Sequence, residues 1–170
     1  MMMMNDRSAG GLISFLRWFM AERTCVFFGH RNTPDTVRPL LRQTLTALIE
    51  QRGVHRFFVG NQGNFDAMVR KELKELARLY PAVRYSVVLA YMPGETDPAD
   101  GEDYSDTVYP EGLEEVPLRF AVEKRNRMML EWANIVVTYV RGPGGGAAKF
   151  KELAEKKKKE VINLFDLLKK

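Results

Sequence analysis

The chain has 170 residues, 45% hydrophobic and 28% charged, with 26 Lys and Arg against 22 Asp and Glu for a formal charge of +4. That length suits one domain able to bury a two-sided sheet without staples, and so ordinary a composition selects no special class of globular protein. Cys25 is the only cysteine, which excludes an internal disulfide and any multi-cysteine zinc site and suits a reducing, cytoplasmic compartment.

The chain opens on an apolar stretch, GGLISFLRWFM, interrupted by Arg17. It is too short to cross a bilayer, which takes roughly 20 residues, and AERTC is a poor small-residue cleavage site. Residues 1–19 are therefore expected to be an appendage or the product of an early start, with Met20 as the alternative start. A short amphipathic anchor is the other reading. The domain proper is drawn over residues 20–165, with 166–170 as a tail, and no membrane association is expected.

Strands and helices then alternate. TCVFFG (24–29) is a continuous apolar run stopped by glycine, and Thr33-Pro34 supplies an N-cap followed by proline at a first helical position. Val37, Leu40, Leu41, Leu45, Leu48 and Ile49 recur at helical spacing up to Gly53. RFFVG (56–60) is the second strand. Asn64 is placed to cap a helix whose apolar face is Phe65, Met68, Val69, Leu73, Leu76, Ala77 and Tyr80. YSVVLAY (85–91) is the third strand.

Residues 92–117 are acidic, rich in Pro and Gly and without periodicity; such a loop is either a functional lid or a surface insertion. A helix over 118–132 follows, then the strand NIVVTYV (134–140), a glycine loop, a helix over about 146–159, and EVINLF (160–165) as a fifth strand. Continuous apolar strands separated by helices predict an α/β, Rossmann-like three-layer sandwich with a mostly parallel sheet of about five strands. Trp132 and Met128 are assigned to its core.

The charge excess sits entirely between Lys149 and Lys170, where eight lysines face four acids; residues 1–148 balance at 18 each. No basic domain face is evident, so nucleic acid is not expected as a partner, and Lys156–Lys159 reads as a solvated face.

In a doubly wound sheet ligands bind beyond the carboxyl ends of the strands, and three such ends carry polar, glycine-containing turns. In the first, Gly29 allows close backbone approach, Arg31 offers a fork for phosphate, and His30 is a polar binding or structural group. The second joins Gly60, Asn61 and Gly63 to Asp66 in the first turn of a helix, where the acid either answers the helix dipole or accepts from a ribose hydroxyl. The third, Gly142-Pro143-Gly144-Gly145-Gly146, opens the next helix with backbone N–H groups able to converge on an anion. It is neither a P-loop nor a G-x-G-x-x-G fingerprint. With His55 in a strand and no second histidine at ligand spacing, no metal site is expected.

In order and spacing these pieces resemble the SLOG superfamily, the Rossmann-like group that includes the LOG phosphoribohydrolases and the Smf-type DNA-processing proteins. Within it the chain is similar to small bacterial proteins carrying GHR, G-x-x-G, RN-x-x-M and Gly-Gly motifs. The matching residues are Gly29-His30-Arg31, Gly60 to Gly63 with Asp66, Arg125-Asn126 with Met129, and Gly144-Gly145. The resemblance covers about residues 22–165. It implies a small-molecule ligand derived from a nucleotide, such as ADP-ribose, NAD or a mononucleotide, with Arg31 and Arg125 on phosphate and Asp66 on ribose. Homo-oligomerisation is left open.

LOG enzymes pair an Arg with a Glu that follows a PGGxGT motif. Here Arg125 meets the Arg and Pro143-Gly144-Gly145 meet PGG, but Ala147 and Ala148 replace Gly-Thr and Lys151 stands where Glu is required. A lysine cannot supply that carboxylate, and Glu152 lies about 100° further round the helix. Binding or sensing without LOG-type hydrolysis is the leading expectation. The alternatives are an N-glycosidase or transferase using Asp66 or Glu123 with help from His30, and an interaction module acting through the Lys-rich C-terminal helix.

Overall fold

A computed structural model describes residues 22–92 and 106–170; the N-terminal segment with Met20, and residues 93–105 of the acidic loop, lie outside the described residues. The strands are β1 (Arg23–Gly29), β2 (Val54–Val59), β3 (Arg84–Val88), β4 (Thr107–Val108), β5 (Ile135–Tyr139) and β6 (Glu160–Asn163). The α-helices are α1 (Arg38–Arg52), α2 (Gly63–Leu79), α3 (Leu118–Trp132), α4 (Gly145–Lys156) and α5 (Leu164–Leu168). All strand pairs are parallel, in the order β4-β3-β2-β1-β5-β6. The α/β, Rossmann-like sandwich expected from the sequence is the fold observed, with one more strand.

Strand β1 explains why the sheet is covered on both sides. Cys25, Val26, Phe27 and Phe28 are all buried, and successive side chains of a strand point to opposite faces. Cys25 and Phe27 enter a core with Leu41 and Leu45 of α1, Leu73 of α2 and Leu164 of α5. Val26 and Phe28 enter a second core with Met129 and Leu130 of α3 and Phe150 and Ala154 of α4. Each buried ring contributes about 1.5–3 kcal/mol, so this one strand anchors both helical layers.

The chain lays β1, β2 and β3 outward on one side, then returns to place β5 beside β1. Connections diverge on leaving that pair, which opens a crevice above their carboxyl ends.

Several local expectations change. Thr33 does not cap a helix: its hydroxyl donates to the His30 carbonyl at 2.6 Å, a 3-10 turn spans Asp35–Val37, and α1 begins at Arg38 with Pro39 in its first turn. Asn64 instead donates to the Thr33 carbonyl, and Gln62 stands at the N-cap of α2. The aperiodic stretch contains the two-residue β4 and a 3-10 turn at Leu113–Glu115. Strand β6 ends at Asn163, whose amide bonds Thr138 and both backbone groups of Val140, and α5 then crosses the boundary drawn at residue 165. Trp132 is 38% exposed and packs on Phe58, ring centroids 5.0 Å apart, at the rim of the second core rather than inside it.

Glu72 went unremarked in the sequence. It is buried on the inner face of α2, where Arg38 at 2.5 Å and Arg42 at 2.9 Å clamp it to α1. Burial works against its ionised form, but the hydrogen bonds from Arg38 and then Arg42 outweigh it and hold the carboxyl below its usual range.

Candidate functional site

A cleft of about 380 Å³ opens above the carboxyl ends of β1, β2 and β5. Gly29, His30, Arg31, Gly60, Asp66, Arg125, Asn126, Gly145 and Gly146 line it, so residues from four separate stretches of sequence meet there. Asn61, Gly63 and Gly144 do not line it. Asn61 stands behind it, accepting from Arg125 at 3.5 Å, and Gly63 packs against Arg31, whose Cα would lie 2.7 Å from any added Cβ. The sequence reading missed Asn32, Gln62, Val122 and Ala147 on the same walls. Val122 could have been found: it lies one helical turn before Arg125 and Asn126 on α3.

The glycines differ in purpose. A Cβ on Gly29 would fall inside the buried ring of Phe65, so this glycine admits α2 against β1 instead of admitting a ligand. At Gly60 a Cβ would lie 2.7 Å from Asp66 Oδ2 and 3.0 Å from Arg125 Nη1, so carboxylate and guanidinium both crowd the space a side chain would take. Gly144, with φ +95° and ψ 148°, and Gly145, with φ +86°, take backbone conformations open essentially to glycine. Gly146 has neither constraint: its φ is ordinary and a Cβ would meet nothing within 4 Å. It presents an open backbone at the start of α4, where the first N–H groups of a helix have no intrahelical partner.

Arg125 is 2% exposed and Asp66 7% exposed. Arg125 Nη1 donates to the Val88 carbonyl at 2.7 Å and Nε to Asn126 Oδ1 at 2.8 Å, so the side chain ties α3 to the end of β3; Nη2 has no hydrogen-bond partner among the described residues. Burial lowers the Arg125 pKa, opposed by Asp66 and then Tyr91. Asp66 Oδ2 accepts from the Gln62 N–H at 3.0 Å. Burial raises its pKa, and that hydrogen bond, Arg125, Arg70 and Arg31 offset only part of the rise. The Arg31 side chain is exposed and makes no hydrogen bond or ion pair among the described residues.

His30 has a structural partner. Its ring Nε2 accepts from the Arg141 backbone N–H at 3.0 Å and its backbone N–H donates to the Tyr139 carbonyl at 3.3 Å, joining the β1 and β5 loops. This requires a neutral ring protonated at Nδ1. Burial, then Arg141, lowers its pKa accordingly. Glu123, one of the two candidate carboxylates, points away to Lys149 at 2.7 Å and Arg127 at 3.0 Å; among the described residues Asp66 is the one acidic side chain on the walls.

A second hollow of about 550 Å³ lies on the other side of the glycine loop, and Lys151 and Glu152 face that one. Lys151 is paired with Glu155 at 2.6 Å. Neither the lysine that replaces the LOG glutamate nor its acidic neighbour lines the central cleft.

No family model matches the chain, and no curated protein sequence matches it. Solved structures share its fold, two of them DNA processing proteins. DNA processing protein A from Streptococcus pneumoniae is 16% identical with a TM-score of 0.58, over 82% of this chain and 49% of that one. DNA processing protein A from Helicobacter pylori, described for its single-stranded DNA binding mode, is 14% identical with a TM-score of 0.57, over 82% of this chain and 63% of that one. The likeness is one of fold and agrees with the Rossmann-like fold read from the sequence. This chain spans about half to under two thirds of those proteins. The expectation that excluded nucleic acid as a partner is corrected by it: a single-stranded DNA-binding protein has this fold, and an even charge balance over residues 1–148 was no ground for the exclusion. Among the described residues no helix is long and apolar enough to cross a membrane.

Proposed function

We propose that the cleft binds a nucleotide-derived phosphate ligand of the ADP-ribose, NAD or mononucleotide type, and binds it without cleaving it. One observation carries this reading: the unpartnered Nη2 of buried Arg125, the exposed Arg31 and the bare N-terminal turn of α4 converge on one crevice at the point where strand order reverses. Guanidinium forks and backbone N–H groups suit phosphate oxygens. The carboxyl of Asp66 suits a ribose hydroxyl. LOG-type hydrolysis would need a glutamate where this chain carries Lys151, and Lys151 does not line the cleft.

The test is a thermal-shift panel of ADP-ribose, NAD and AMP with product analysis of any hit, run on the unmodified chain, Arg31→Ala and Gly146→Ala. The ligand should raise the melting temperature and be recovered intact. Arg31→Ala should remove the shift. Gly146→Ala should gain about 0.5 kcal/mol without ligand, because a helical site loses a flexible glycine, yet lose the ligand shift because its methyl occupies the cradle. A panel with no hit, or a Gly146→Ala protein that still responds fully, would sink the reading.

A second reading has its own support in the single-stranded DNA binding described for the Helicobacter pylori protein of this fold. A phosphodiester could use the same two arginines and the same helix start. Oligonucleotide binding that falls steeply with salt and is lost in Arg31→Ala would favour it over a small ligand.

A further inference from the structure

Beyond the cleft walls, a set of exposed apolar side chains gathers where β3 meets the start of α3. Tyr91 is 40% exposed, Met92 67% and Leu118 74%. The Tyr91 hydroxyl donates to the Leu118 carbonyl at 3.2 Å, which fixes the ring against the first turn of α3 while leaving part of it open to solvent. Leu118, Val122 and Arg125 follow at i, i+4 and i+7 and so lie along one side of α3. Val122 and Arg125 already line the cleft. Tyr91 is also within electrostatic reach of the Arg125 guanidinium. The apolar rim thus continues the cleft from its phosphate floor outward.

We propose that Tyr91, with Leu118 and Val122, is the base-binding end of this site, where a planar heteroaromatic base stacks on the tyrosine. The inference rests on the phosphate-ligand reading above. Tyrosine is well matched to stacking because it offers a large flat surface, loses little rotamer freedom, and keeps its polar end satisfied. The distance also narrows the ligand. The ends of β3 and β5, the strands that lead to Tyr91 and to the start of α4, are three strand spacings apart, roughly 14 Å. A nucleoside diphosphate or dinucleotide-like molecule can place a base at one end and phosphate at the other, whereas a base-free sugar phosphate reaches only the arginine end.

Calorimetric titration with ADP-ribose and with ribose 5-phosphate tests this on the unmodified chain, Tyr91→Ala, Tyr91→Phe and Arg31→Ala. Loss of one stacking platform should weaken ADP-ribose roughly 5- to 100-fold in Tyr91→Ala and leave ribose 5-phosphate unchanged. Tyr91→Phe, which keeps the ring, should stay close to the unmodified protein, and Arg31→Ala should weaken both probes. If Tyr91→Ala binds ADP-ribose as well as the unmodified chain, the subsite is wrong while the phosphate site stands. Equal weakening of both probes, or a changed association state on a sizing column, would assign the rim to folding or to a protein contact and overturn the proposal. If neither probe binds the unmodified chain, the phosphate reading fails and takes this one with it.

Discussion

Positive charge takes two forms in this molecule. At the C-terminal end of the chain, lysines are abundant and half of them are paired: Lys149 with Glu123, Lys151 with Glu155, Lys156 with Glu152 and Lys157 with Glu131, all toward the surface. At the crevice, among the described residues, there are two arginines, one buried and one without a side-chain partner, and one carboxyl. The region that dominates the net charge is solvent-screened and half neutralised by ion pairs, while the region that adds nothing to the net balance holds a buried guanidinium beside an exposed one. Binding capacity follows from pairing and burial, which net charge does not report. That is why the glycine-rich strand ends, and not the lysine run, carry the functional reading.

Removing Arg125 should separate the two regions most clearly. It holds the end of β3 through the Val88 carbonyl, and it is the foremost charge compensating buried Asp66. Arg125→Ala takes from buried Asp66 its foremost compensating charge and from the Val88 carbonyl its guanidinium donor, a loss that typically costs about 1–3 kcal/mol. Denaturant unfolding should register that loss, and no ligand should restore it. Arg125→Lys keeps the charge but not the fork, and should recover part of the stability without recovering ligand binding. An Arg125→Ala protein as stable as the unmodified chain would mean that the crevice is no more built than the lysine surface.

How far this contrast could be read from the sequence varies by residue. The strands were legible because their apolar runs are continuous, and α3 is bounded at Leu118 and Trp132 as its periodicity predicts. The cleft was legible because strand-end turns in a parallel sheet have one place to meet. The role of Gly29 was not, since no local pattern reveals that Phe65, from the next helix, fills the space a side chain would need. His30 has the local setting of a ligand contact and serves instead as an acceptor for the Arg141 amide, 111 residues away. Tyr91 and Leu118 could not be associated, because 27 residues of unpatterned chain separate them. Long-range contacts of this kind are set by the packed fold, and spacing along the chain carries no trace of them.

The buried carboxyl allows a smaller test of the same contrast. Asp66 has a folded-state pKa raised above the ordinary value of about 3.9. Its contribution to stability is therefore fully present below that value and is lost as pH rises through the folded pKa. Asp66→Asn removes the charge while retaining an oxygen that can accept from Gln62. The variant should match or exceed the unmodified protein near neutral pH, and the difference should close on acidification towards about pH 4. An exposed carboxyl such as Glu123, held below its usual range first by Lys149 and then by Arg127, runs the other way: its contribution is present at neutral pH and lost on acidification. Parallel pH titrations of unfolding for Asp66→Asn and Glu123→Gln should thus diverge in sign, and like-signed curves would break the contrast.

The smallest effect expected is the most exposed to disproof. Lys156 and Lys157 each stand in a surface ion pair, at 3.0 Å to Glu152 and 2.5 Å to Glu131. Such pairs gain little Coulomb energy in water and surrender side-chain entropy to form, so neutralising them should leave the unfolding midpoint nearly unchanged. The same Lys156→Gln, Lys157→Gln double variant should bind every probe of the cleft as the unmodified chain does. The two lysines lie at the C-terminal end of α4, while the cleft meets only its first turn, at Gly145 to Ala147. Oligonucleotide affinity is where this could fail. If it drops in the double variant with a shallower salt dependence, and holds in Arg31→Ala, then the exposed lysines exchange their carboxylate partners for phosphates. Pairing on the surface would then be a reserve of binding charge, and the division between the two regions would have to be redrawn around competition for lysine rather than burial of arginine.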